Sequence, residues 1–400
     1  MIAPCPGRRH PALETHMTFI TQPQSADVAA GVIPPFGLSQ RGRSGLEVLG
    51  SIQKFSSGVL RETARSNFRA DPEGRALTET QGESFSAKEM RARVAKAREV
   101  AERDPTHHLE RFFQRYVAEE NFTRGIPAIE ERRAQYQAFA TAAPPNGSNG
   151  AGGTLELDPT LEMPKYFDGV EWHLEPGGWD GYDLYGALFA FGVGPLVFKH
   201  GGYAAVGIGA DIIQQRLDTV RQLPKKTYGR IYEPGCGGVS TLSALHAVFP
   251  EAELVGCDLS AGLLANGHQI AEKRGIKVAL KQRDAVATGE PDESVDAVVT
   301  YALHHELPPK ANVEMFKEMF RIMKPGADIL LADPPPFRAV EPYHSAILDW
   351  DTDHREEPFF SAAALADWDE ELRKIGFVDV ESYALGADSY PWVTRARKPA

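Results

Sequence analysis

Several residues whose types and spacing suit ligand chemistry fall in the second half of the chain. Tyr232-Glu233-Pro234-Gly235-Cys236-Gly237-Gly238 closes a short apolar run and leads into a helical pattern after Val239-Ser240-Thr241. Glycines in a strand-to-helix turn let the backbone approach a ligand closely, because no Cβ intervenes. A dinucleotide fingerprint would want glycine where Ser240 stands. The next run, AELVGCD, ends in Asp258, twenty residues after Gly238. A carboxylate there can accept hydrogen bonds from both hydroxyls of a ribose. A third run ends in Arg283-Asp284-Ala285, where an acid beside a small residue can receive an adenine amino group. His304, His305 and Glu306 follow a fourth run. A neutral imidazole is matched to proton transfer near neutral pH, so either histidine is a candidate base or acceptor-orienting group. The alternative is that both only shape their loop. The triplet lacks the H-E-x-x-H spacing of a zinc helix, so no metal site is expected.

These residues need a scaffold, and the pattern from Tyr228 onward supplies one. Strand-length apolar runs alternate with helical stretches in βαβ order, which implies a parallel sheet covered by helices. Residues 1–44 are rich in Pro, Gly, Ser and Gln and are expected to be disordered. Residues 45–142 read as a helical N-terminal region. Leu46, Leu49, Ile52, Phe55 and Val59 suggest an amphipathic helix over Gly45–Asn67. Ser86 and Glu89 form a capping-box pattern for a helix that Pro105 ends, and further helices are expected over Thr106–Glu120 and Pro127–Ala142. Residues 143–153 read as a linker, 154–227 as a connecting or lid segment, and 228–400 as the main domain. The apolar stretch Tyr185–Phe198 is shorter than the roughly 20 residues of a membrane span and reads as a buried or lid-forming hairpin.

The ordered set of motifs resembles the class I, Rossmann-like S-adenosylmethionine (SAM)-dependent methyltransferases of small-molecule type. Glu233-x-Gly235-x-Gly237 is similar to the first motif, DAVVTYALHHELP to the fourth-strand motif, and MKPGADILLADP to the segment entering the fifth strand. LRKIGFVDVESYAL and SYPWVTRARK resemble the last two strands. The resemblance implies an α/β fold: a seven-stranded, mostly parallel sheet with its last strand antiparallel, helices on both faces, and here a helical region in front. It implies SAM as cofactor, with Glu233, Gly235, Cys236, Gly237, Asp258, Leu259, Asp284, Ala285 and Tyr301 as its contacts. It also implies methyl transfer to a small-molecule oxygen, carbon or sulfur. In such enzymes an insertion after the fifth strand helps form the acceptor pocket, which makes Tyr343, His344, Trp350 and His354 substrate-binding candidates. Tyr182 and Tyr185 are candidates for the opposite wall.

Composition narrows the alternatives. With 43 basic and 55 acidic side chains the formal charge is −12, a surface that repels nucleic-acid phosphates and is not steered to anionic membranes. Asp333-Pro334-Pro335-Pro336-Phe337 looks like an amino-methylating motif, but it follows the fifth strand rather than the fourth. The three cysteines, Cys5, Cys236 and Cys257, form no CxxC pair. They and the lack of an apolar run behind the first basic residues lead us to expect a cytoplasmic protein. Its expected partners are a small-molecule substrate and a second copy bound through the N-terminal helices, with neither nucleic acid nor membrane. A nucleic-acid or protein methyltransferase, and a non-catalytic SAM-binding protein, are the competing readings.

Overall fold

The computed structural model describes residues 36–141, 150–200 and 212–400. Most of the segment expected to be disordered and most of the linker lie outside these residues. Among the described residues the sheet has eight strands: β1 Thr154–Glu156, β2 Arg230–Pro234, β3 Glu253–Asp258, β4 Val278–Gln282, β5 Val295–Tyr301, β6 Met323–Asp333, β7 Val378–Ala384 and β8 Trp392–Arg397. Their spatial order is β1-β4-β3-β2-β5-β6-β8-β7. The first six are parallel, and β8 runs antiparallel to both β6 and β7. The sheet therefore carries one strand more than expected. The addition, β1, comes from the connecting segment and pairs Leu155 with Leu280 on the β4 edge.

Strands buried on both faces read as continuous apolar runs, and alternate residues divide between two cores. Ile231 packs with Leu242, Leu245 and Leu264 on one side, and Tyr232 packs with Val255, Met315 and Phe316 on the other. Chain order reverses at β2, which has β3 on one side and β5 on the other. Such a switch point opens a crevice beyond the carboxyl ends of the strands. Here it lies between the exits of β2 and β5.

The N-terminal region begins with α1, Gln40–Phe55, capped by Ser39, whose hydroxyl accepts from the Gly42 amide at 3.1 Å. It runs on through a π turn, Ser56–Leu60, into α2, Arg61–Ala70. Leu46 and Leu49 are buried, but Phe55 and Val59 are 47% and 56% exposed. Phe55 follows Leu46 by nine residues, about two and a half turns, so an every-third-residue stripe rotates to the opposite face. The buried stripe instead takes in Gln53, Ser56 and Ser57, which bond to Gln114. After α3 (Pro72–Glu79) comes α4, Ala87–Ala101, which has the expected Ser86–Glu89 capping box. The two helices expected over 106–142 are divided differently. α5 runs from Pro105 to Glu130 with Pro127 inside it, and α6 covers Arg133–Thr141. No described helix is long and apolar enough to cross a membrane.

The insertion after β6 forms α7, Pro342–His354, and lies against this helical region. Glu110 pairs with Arg61 at 3.1 Å and with Arg111, and Arg111 reaches Asp351 at 3.2 Å. Arg98 meets Asp349 at 2.9 Å, and Arg65 meets Glu341 at 2.7 Å. The helical region is thereby fixed to the sheet domain through the insertion.

Candidate functional site

The β2 exit forms a tight turn held by its neighbours. The Cys236 amide donates to the Cys257 carbonyl at 2.9 Å, and the Gly237 amide donates to Asp258 Oδ2 at 2.9 Å. Asp258 Oδ1 accepts from the Ser260 amide at 2.9 Å. Gly235 has φ +65°, and a Cβ there would stand 2.5 Å from Leu303. Cys236 packs against Gly256, and burial pushes its thiol well above the usual range. It serves as a small apolar group. A Cβ on Gly237 or Gly238 would meet nothing within 4 Å, so open space lies along this turn.

Glu233 is fully buried below the turn, and its Oε2 has no hydrogen-bond partner. Burial lifts its carboxyl to about 8, against the pull of Thr241 and of the Arg216 charge. Arg216 also lies over the Tyr301 ring at 4.4 Å from its centre, and so links the β2 and β5 exits. Asp284 turns its chain by accepting from the Val286 amide at 3.0 Å, and Ala285 beside it is buried. The Leu259 carbonyl accepts from Gln282 at 2.9 Å. Glu233, Gly235–Gly237, Asp258 and Asp284 thus sit along one end of the sheet.

Beyond β5, Ala302 takes φ +55° and a short 3-10 turn, His304–Glu306, follows. His304 is not available as a base. Its Nε2 meets Thr300 Oγ1 and its Nδ1 meets Asn312 Oδ1, each at 2.8 Å, and its ring packs on Phe316. Burial also lowers its basicity. His305 is placed differently. Its Nδ1 lies 3.0 Å from Asp333 Oδ1 and its Nε2 lies 3.3 Å from Glu306 Oε1. Burial disfavours its charge, but Asp333 and Glu306 outweigh this and hold its affinity for protons well above the ordinary histidine value.

Five of the six expected substrate contacts lie elsewhere, four of them on the insertion. Tyr343 is buried against Phe68 and His107, and His344 is buried beside it. Trp350 lies under Arg111 and against His354, at the seam between α7 and the N-terminal helices. These side chains fail as pocket residues because the insertion packs on the helical region instead of capping the crevice. Tyr182 donates to Glu130 Oε1 at 2.7 Å on the surface. Tyr185 does line a pocket, with Asn121, Phe122, His173, Leu188 and Arg355. His173, on the turn Trp172–Leu174, reaches Glu306 Oε1 at 3.0 Å and Glu357 Oε1 at 3.1 Å. The pocket therefore adjoins the β5 exit. Sequence reasoning missed Asn121, His173 and Arg355, since nothing in their spacing marks them.

Residues 231–326 match a family described as methyltransferase domain. The chain carries a class I SAM-dependent methyltransferase domain. Demethylmenaquinone methyltransferase of Thermus thermophilus is 29% identical over 133 residues, 33% of this chain and 58% of that protein. Trans-aconitate 2-methyltransferase of Methylobacterium nodulans is 32% identical over 127 residues, 32% of this chain and 46% of that protein. The chain thus spans about half the length of the curated relatives it matches. A solved putative methyltransferase of Bacillus halodurans aligns at 17% identity over 48% of this chain and 100% of that one, with a TM-score of 0.36. The cofactor of this domain is SAM, and the residues present fit it. The glycine turn leaves open space beside it, Glu233 keeps an unpartnered carboxylate oxygen for a cationic group, and Asp258 stands at the end of β3.

Proposed function

We propose that this protein methylates a small, largely apolar molecule that carries one polar or anionic group. The observation that carries this reading is the pocket beside the β5 exit. Its walls are mostly apolar, with Ala118, Phe122, Leu188, Phe189, Val193 and Phe198 from α5 and the helical segment 185–198. Its polar groups are few: Asn121, His173, Tyr185 and Arg355. Asn121 Oδ1 is buried there without a protein partner. Small-molecule sites have this composition, an apolar lining with a few placed polar groups. The N-terminal helices would then supply one wall of the acceptor site.

When bound, SAM supplies an electrophilic methyl carbon, so the protein's work is alignment rather than activation. Glu233 and the Gly235–Gly237 turn would hold the methionine end, and Asp258 and Asp284 the adenosine end. Arg355 would neutralise an anionic acceptor group, whereas Asn121 Oδ1 would accept a hydrogen bond from a hydroxyl or amine N–H of a neutral one. His305, oriented by Asp333, would face the acceptor from the β5 side. The pocket is narrow, with about 10 Å³ of room, close to that of a single water. Entry of an acceptor would require the segment 185–198 to move; the structure makes it a continuous helical run, Tyr185–Leu196, rather than the expected hairpin.

Filling the pocket tests this reading. Leu188→Trp, with the milder Ala118→Leu beside it, should leave SAM affinity within about twofold. Both should cut transfer of labelled methyl to the small-molecule fraction of a cell extract by at least about tenfold, about 1.4 kcal/mol. Unchanged transfer in both variants would place the acceptor elsewhere.

A further inference from the structure

The geometry points to a divalent metal site built by His173, His305, Glu306 and Glu357. One donor atom from each lies within 4.8 Å of all the others. The closest approaches are His173 Nε2 to Glu306 Oε1 at 3.0 Å, His173 Nε2 to Glu357 Oε1 at 3.1 Å, and His305 Nε2 to Glu306 Oε1 at 3.3 Å. A tetrahedral ion with ligand bonds near 2.1 Å separates its donors by about 3.4 Å. The cluster is thus already near the spacing an ion needs.

Two further observations favour an ion over simple pairing. Glu306 and Glu357 are 6% and 3% exposed, yet Oε2 of each has no hydrogen-bond partner. A buried carboxylate oxygen left without a donor is costly, and a bound cation removes that cost. The second observation is Asp333, which sits 3.0 Å from His305 Nδ1. A carboxylate behind an imidazole fixes the tautomer that presents Nε2, the arrangement found behind metal-binding histidines.

Charge and ligand type narrow the ion. Two carboxylates balance a divalent charge, and ligation requires both imidazoles in their neutral form, so the ion would displace any proton held on Nε2 of His305. Two nitrogens with two oxygens suit zinc or another first-row divalent metal, whereas calcium and magnesium favour all-oxygen shells. Phe360 stands edge-on to the His305 ring at 5.3 Å, and Trp179 lies 5.8 Å from the ring of His173. These aromatic rings flank the site. Because His173 also lines the pocket described above, an ion here would sit in its wall and draw an oxygen-bearing acceptor. This role in acceptor binding rests on the proposed reaction; the metal site itself does not.

The test uses untagged full-length protein stripped with a chelator and then titrated with cobalt(II) and with zinc(II). The expected result is one equivalent bound per chain, visible d–d absorption for cobalt, and a raised melting temperature. Glu357→Gln and His173→Gln should each weaken zinc binding at least about tenfold, and Asp333→Asn should weaken it by about 10- to 100-fold. The wild-type cobalt spectrum stands even if a variant fails to fold. No saturable binding by the wild type, or unchanged affinity in folded Glu357→Gln and His173→Gln, would overturn the site. SAM titration of the stripped protein separates this failure from failure of the methyl-transfer reading.

Discussion

The Gly237 amide donates to Asp258 Oδ2 at 2.9 Å, so one carboxylate at the end of β3 supports the glycine turn at the end of β2. The residue expected to hold a ribose therefore also shapes the loop beside it. Asp258→Ala removes both roles. A hydrogen bond to a charged group is worth about 1.5–3 kcal/mol, so SAM affinity should fall by about 10- to 100-fold in a calorimetric titration. Asp258→Asn should fall in between. An unchanged dissociation constant for the alanine variant would mean that the adenosine end binds elsewhere.

Gly235 and Leu303 form a second coupled pair. A Cβ on Gly235 would stand 2.5 Å from Leu303 Cδ1, and the φ of +65° is unfavourable to any side chain. Gly235→Ala should lower stability through both effects. Adding Leu303→Ala removes the clash but leaves the backbone cost, about 1–2 kcal/mol. A denaturation double-mutant cycle should therefore show positive coupling, and strict additivity would count against the contact.

Glu233 gives a pH dependence whose sign follows from its burial. Its folded value of about 8 lies above the ordinary 4.5. Between these values the folded state holds more protons than the unfolded one, so its stabilising contribution is complete below 4.5 and is lost as pH rises to 8. A cation bound beside Glu233 favours the ionised form. SAM affinity should thus rise between pH 6 and 8, by up to about tenfold per unit, and level off above that. Calorimetry in buffers of different ionisation enthalpy should detect proton release. Glu233→Gln should lose the part of the slope due to this group, and an identical slope in the variant would assign it to another group.

Glu110 offers a test of how the helical region is attached. It is fully buried between Arg61 and Arg111, which are 4% and 2% exposed. Glu110→Ala removes the buried carboxylate that Arg61 and Arg111 share, and breaking such a buried pair costs about 3–5 kcal/mol. Replacing all three residues with methionine or leucine, with Asp351→Asn beside them because Asp351 would lose Arg111, should recover most of that loss in a chemical melt. If this combined variant is no more stable than the single one, packing and not charge dominates the seam.

What the sequence revealed depended on whether the determinants were local. The ends of β2, β3 and β4 each carry their residues in a single run, so Glu233, the glycine turn, Asp258 and Asp284 were readable in order. Leu155–Leu174 reads as a short β-like or irregular piece, but nothing in it shows that Thr154–Glu156 adds to the sheet at the β4 edge, because three residues carry no pattern that names their partner strand. The exposure of Phe55 and Val59 follows from helix phase over many residues. His304 and His305 are adjacent in sequence, but Thr300 and Asn312 occupy both nitrogens of one while Asp333 orients the other. Only three-dimensional placement separates their roles. The insertion's aromatic residues read as a pocket lid, but arginines on α4 and α5 hold that helix against the N-terminal region. His173, Glu306 and Glu357 belong to segments far apart in the chain and meet only in the folded protein.

The most direct measurement is the destination of the methyl group. The purified protein is incubated with methyl-labelled SAM and a cell extract, and the label is followed separately into small molecules, RNA, DNA and protein. Enzyme-dependent label should appear in the small-molecule fraction and be lost with Asp258→Ala. Label confined to nucleic acid or protein, or no enzyme-dependent label in any fraction, would contradict the account.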